Sequence, residues 1–180
     1  MRKSQAVEIV ARRLRLPHGR LESIAISLAD AGVIEKTSGS RRYPGHISIN
    51  DVVSILLGGL VDQGIGAAPA MVRTFGTLND AHGTTLRDVL TTILERSAVT
   101  PSGALIVRHD PPSASLTVDG VHMVFGEPAD GTSTTATLVP PGALTAIALE
   151  LSGASPEEAD ALLALARVSA AASLTRKVSA

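Results

Sequence analysis

The segment Ile49 to Gln63 constrains this chain more than any other. Val52, Val53, Ile55, Leu56, Leu57, Leu60 and Val61 leave almost no polar side at a 3.6-residue period. Such a helix must be buried on most of its surface, inside the fold or at a subunit interface. Ser48 with Asp51 three residues later forms a capping box, with Asp in place of the usual Glu, that starts the helix. Gly58 and Gly59 each cost about 1 kcal/mol relative to alanine, and their expected use is close approach by another helix. Gln63-Gly64-Ile65-Gly66 ends it. Val53, Leu57 and Val61 lie near one side, while Val52, Ile55 and Leu56 spread apolar surface around the rest. These last three are the candidate homo-oligomer interface; burial inside the chain is the alternative.

Before this helix, Val7, Val10, Ala11 and Leu14 mark one helical face, and Leu21, Ile24, Ala25 and Leu28 mark a second. Pro17 and Gly19 interrupt between them, because proline lacks the N–H that a helix interior needs and glycine relaxes a turn. Two helices of about three turns with a short connection make a helix-turn-helix candidate. Its second helix is the one expected in a DNA major groove. Ala31-Gly32 stops that helix. Val33 to Lys36 is the candidate first strand of a wing, Thr37 to Ser40 its tip, and Arg41-Arg42-Tyr43 its returning strand.

Beyond residue 63, Pro69 opens a helix carrying Met71, Val72, Phe75 and Leu78. Thr85 with Asp88 opens another, carrying Leu86, Val89, Leu90, Ile93 and Leu94. Pro101-Ser102-Gly103 changes the texture and divides the chain into 1–99 and 100–180. A strand is expected over Ala104 to His109. Asp119-Gly120 between apolar runs predicts a type I′ hairpin that pairs Val118 with Val121, Thr117 with His122, Leu116 with Met123 and Ala114 with Phe125. A further strand falls at Thr135 to Val139. A short helix carrying Leu144, Ile147, Ala148 and Leu151 follows, then a last helix opened by Ser155-Pro156-Glu157-Glu158. Its apolar positions are Ala159, Leu162, Leu163 and Ala166, and fraying is expected beyond about Ser169. The fold class expected is α+β: a helical N-terminal region of helix-turn-helix and winged-helix character, then a small antiparallel, hairpin-containing region.

Charge separates the two ends. The net charge is −1, yet residues 1–50 hold nine basic and four acidic side chains, while the remainder holds seven and thirteen. A basic end on an acidic molecule points to a polyanion partner for that end. Arg12, Arg13 and Arg15 are expected on phosphates, as is Lys36 near the wing. Arg20, Ser23 and Ser27 are expected on the exposed face of the second helix, where arginine forks onto guanine. Arg41 and Arg42 are expected in an adjacent minor groove or on the backbone. The bland alternative is that these arginines solvate helix faces, with Glu8 and Arg12 as an i, i+4 pair.

The chemistry of other classes is thin. No cysteine is present, so thiolate metal sites and disulfides are excluded. The five histidines are scattered without an i, i+4 pair. No P-loop and no Gly-x-Ser-x-Gly elbow appears. Three aromatic residues in 180 do not build a stacking platform for single strands. The expectation is a non-enzymatic, cytoplasmic protein without cofactor or metal. Arg2, Lys3, Glu8, Arg12 and Arg13 rule out a signal peptide at the N-terminus, and no apolar run is long enough to span a bilayer.

The residues Leu16-Pro17, Leu21, Ile24, Leu28 and Ala31-Gly32-Val33-Ile34, then a basic segment and Ile47-Ser48-x-x-Asp51, resemble winged helix-turn-helix proteins of bacterial regulators. The same layout resembles uncharacterised phage and prophage proteins. The match covers about the first 80 residues. A winged helix has three helices before its wing. Here two are visible, so either helix 49–63 supplies the third packing partner or the basic segment is only a loop. The resemblance implies a sequence-specific double-stranded DNA-binding protein, a transcriptional regulator acting as a homo-oligomer, with a dimer favoured. The order of helix-turn-helix, central helices and C-terminal strands also resembles the small terminase subunit of a phage, where a packaging role is implied. A structural or assembly protein without DNA binding is the alternative from a different class.

Overall fold

The computed structural model describes residues 1–36, 45–96, 102–127 and 134–178. Among them are seven helices and one four-stranded antiparallel sheet, an α+β fold with the helices dominating the N-terminal half. Helix α3 (Ile49–Leu60) is its axis. It packs against α1 (Lys3–Leu14), α2 (His18–Asp30), α4 (Ala68–Gly76) and α5 (Leu86–Glu95). Every residue of α3 from Asp51 to Leu60 is buried. Its start is fixed by the expected box: the Ser48 hydroxyl accepts from Asp51 N–H at 3.1 Å, and the Asp51 carboxylate accepts from Ser48 N–H at 3.2 Å. Helical geometry ends at Leu60, three residues before the expected Gln63, and releases Asp62 for a contact described below.

The two glycines of α3 serve close approach. A Cβ at Gly58 would lie 2.7 Å from the Ile24 Cγ2 methyl, and one at Gly59 would lie 2.8 Å from Leu16 Cδ1. The backbone of α3 therefore seats directly on α2 and on the connection preceding it. Val52, Ile55 and Leu56 have no exposed surface. The candidate interface triad is therefore core: α1, α2, α4 and α5 together consume the whole circumference of α3, leaving these three side chains nothing to offer a second copy.

The sheet runs β3 (Val121–Phe125), β2 (Ser113–Val118), β1 (Leu105–Arg108), β4 (Ala136–Val139). The hairpin register is the expected one: Val118 faces Val121, Thr117 faces His122, Leu116 faces Met123 and Ala114 faces Phe125. Asp119 and Gly120 both have positive φ, 51° and 80°, as a type I′ turn requires. Leu105, Val107, Ala114, Leu116, Phe125 and Val139 point inward and join the same apolar cluster as α3. Two helices follow, α6 (Ala143–Leu151) and α7 (Pro156–Val178), and α6 packs on α1, α5 and α7. The change of texture near residue 100 thus marks a change from helix to strand, while one core runs through both regions.

Three local expectations need correction. Gly19 lies inside the first turn of α2 and not in the connection, because Pro17 takes the N-cap position and its carbonyl already accepts from Arg20 and Leu21 N–H. Val33 to Lys36 does not form a strand. Ile34 is buried there, and Glu35 N–H donates to the Asp51 carboxylate at 3.3 Å, so this stretch is pinned to the start of α3. Helix α7 also runs to Val178, past the expected fraying point.

Candidate nucleic-acid interface

The connection between α1 and α2 is three residues, Arg15-Leu16-Pro17. Leu16 N–H returns to the Ala11 carbonyl at 2.9 Å and Arg15 N–H to the Arg12 carbonyl at 3.2 Å, the paired bonds of a Schellman closure. That closure puts Arg15 in the left-handed region, at φ 55°. Glycine usually takes this place, since a side chain there costs about 1–2 kcal/mol. Arg15 is exposed and pairs with no carboxylate among the described residues. Helices α1, α2 and α3 pack pairwise on one another.

The other expected contacts are placed differently. Arg12 and Arg13 both donate to Glu150, whose side chain is only 2% exposed. Arg13 also reaches Asp160 at 2.6 Å and the Pro156 carbonyl at 3.1 Å. Burial by itself would lower the Arg13 guanidinium, but hydrogen bonds to Asp160 and Glu150 outweigh it and raise its pKa. Arg20 forks onto Asp62, with Nε to Oδ2 and Nη2 to Oδ1 both at 2.7 Å. This fork holds the Asp62 carboxyl below the usual carboxylate range, against a smaller opposing effect of burial and with help from Gly64 N–H. Ser23 Oγ donates back to the Gly19 carbonyl at 2.8 Å, and Ser27 Oγ donates to the Ile65 carbonyl at 3.0 Å. Lys36 meets Asp30 at 3.3 Å with both side chains 70% exposed, a pair worth about 0–1 kcal/mol. Arg41 and Arg42 lie outside the described residues.

These placements remove α2 as a base-reading helix of the expected kind. Its outward face carries His18, Glu22, Ile26 and Asp30, and Arg20 is turned toward Asp62. The carboxylates that sequence reasoning missed are Asp62, Glu150 and Asp160. Glu150 and Asp160 lie more than 135 residues from the arginines they bind, so no local spacing could signal them. Among the described residues, no group of three or more His, Asp or Glu is placed to hold a metal ion, and no helix is long and apolar enough to cross a membrane.

Comparison with protein-family models, with curated proteins and with solved structures finds no match for this chain.

The arginines gather at one place. Arg12 and Arg13 at the end of α1 and Arg15 just beyond it line a cleft of about 840 Å³, and Arg167 of α7 lines the same cleft. Arg167 Nη2 donates to the Pro141 carbonyl at 2.8 Å. It passes over Gly142, where a Cβ would stand 3.0 Å from that nitrogen.

Proposed function

We propose that this chain binds double-stranded DNA through its phosphate backbone, as a regulator of the helix-turn-helix type. The observation that carries this reading is the compact unit of α1, α2 and α3, joined at its first turn by an exposed left-handed arginine. Arginine at a position suited to glycine costs stability, and such a cost points toward use of the side chain. The surplus positive charge of residues 1–50 supports the same partner. The contacts proposed are those whose charge is not covered by a buried or bidentate carboxylate. They are Arg15, the exposed Arg2 and Lys36, and the pair Arg41 and Arg42 of the connecting segment. Regulation of transcription belongs to the same proposal.

Affinity for a genomic fragment, measured by mobility shift or anisotropy between 50 and 200 mM salt, tests it. Three to five phosphate contacts give a log–log slope of roughly −3 to −4. Replacing Arg41 and Arg42 with alanine is expected to weaken binding to all sequences and to flatten the slope by about 2. Arg15→Gly is expected to stabilise the fold by about 0.5–1 kcal/mol while lowering DNA affinity, since it removes backbone strain and a cation together. Affinity that stays level across this salt range overturns the reading. So does an Arg41/Arg42 variant that binds as the natural chain does.

A further inference from the structure

We infer that the cleft beside the first turn is a binding site for an organic anion, a molecule with an apolar body and a carboxylate or phosphate at one end. It shares Arg15 with the proposed DNA contacts, but it rests on the cleft and on Arg167 and is tested without DNA.

The walls come from five elements that meet only in the folded chain: the ends of α1 and α3, strand β4, and helices α6 and α7. Its floor reaches core residues, namely Gly59, Leu60, Val139, Ala146 and Leu163, each buried. The volume falls within the range of about 300–1,000 Å³ typical of small-molecule sites. An apolar floor takes the body of a ligand.

The rim sets the charge. Of its four guanidiniums, Arg12 and Arg13 are satisfied by Glu150 and Asp160, with Glu8 meeting Arg12 at 3.5 Å from outside the cleft. Arg15 and Arg167 meet no carboxylate among the described residues. Arg167 spends one donor, Nη2, on the Pro141 carbonyl and lines the cleft. The start of α6 at Gly142 and Ala143 opens on the same space and adds a modest positive potential. Two guanidiniums without a carboxylate partner on the rim of a cleft with apolar lining favour a ligand that carries an anionic head, and guanidinium forks match carboxylate and phosphate alike.

The test is calorimetric titration of the full chain with octyl phosphate, octanoate, octanol and inorganic phosphate, all below micelle-forming concentration. Saturable one-to-one binding is expected for octyl phosphate or octanoate, and which head binds tighter identifies the anion. Octanol and inorganic phosphate are each expected to bind at least tenfold more weakly. The double variant Arg15→Gln, Arg167→Gln is expected to lose about tenfold in affinity for the anion while its circular dichroism and melting stay close to those of the natural chain. Ala143→Phe, at the partly open edge of the floor, is expected to block both anions without touching the arginines. Octanol binding as tightly as the anions overturns the inference, as does inorganic phosphate doing so. A charge variant that is folded with unchanged affinity overturns it too, and so does the absence of saturable binding by either anion.

Discussion

The arginines show how far a charge count differs from a charge surface. Each of Arg12, Arg13 and Arg20 looks alike in the sequence, and each is drawn onto a carboxylate of its own chain. Arg20 and Asp62 give a measurable consequence. Because the folded Asp62 carboxyl sits below its ordinary value, the pair contributes stability that is complete above about pH 3.9, the unfolded value. That contribution is lost as the pH falls through the lower folded value. Asp62→Asn removes the proton-linked part. The variant is expected to be less stable at neutral pH and to lose stability less steeply below pH 4, as read by urea titrations at pH 7, 4 and 3. An acid limb as steep as that of the natural chain would show that the fork contributes nothing. Periodicity places Arg20 on an exposed helix face, but the turn of chain that brings Asp62 back to it leaves no periodic signal.

At the scale of elements, local signals translated well wherever the determining chemistry lay within a few residues. The Ser48–Asp51 box, the Asp119-Gly120 hairpin and the Ser155–Glu158 cap all formed as their residues dictate. The wing strand failed because Ile34 and Asp51 pull its stretch onto α3, a contact that outweighs its β-branched composition. The all-round apolar character of α3 was legible, but the partner of each side was not. Periodicity says that a surface is covered without saying by what. The glycines now separate two outcomes. Gly58→Ala drives a Cβ against a stiff β-branched side chain at 2.7 Å, so the clash is expected to exceed the helix-propensity gain and destabilise by about 1 kcal/mol. Gly59→Ala meets the far ends of Leu16 and Leu21, which can swing aside, so it is expected to be near neutral. Chemical denaturation of both variants checks the order, and Gly58→Ala proving the more stable of the two would contradict the packing described for α2 on α3.

Across the whole molecule, one apolar cluster joins the helical half to the sheet, and α6 returns from the C-terminal half to pack on α1. Removing Leu144 and Ile147 from that cluster forfeits about 1.5–3 kcal/mol each, a large share of the 5–15 kcal/mol that holds a domain together. The full chain is therefore expected to unfold in one transition by heat and by urea. A fragment of residues 1–99 is expected to be less helical and to melt without cooperativity. A fragment with its own sharp transition would show that the helices form a separate domain. The pairing of Arg12 with Glu150 spans 138 residues, and during synthesis that span is time. At about 5–20 residues per second, the ribosome adds Arg12 roughly 7 to 28 s before it adds the buried carboxylate that pairs with it. Through that interval both Arg12 and Arg13 lack Glu150, and the newborn chain is more strongly cationic than the protein it becomes.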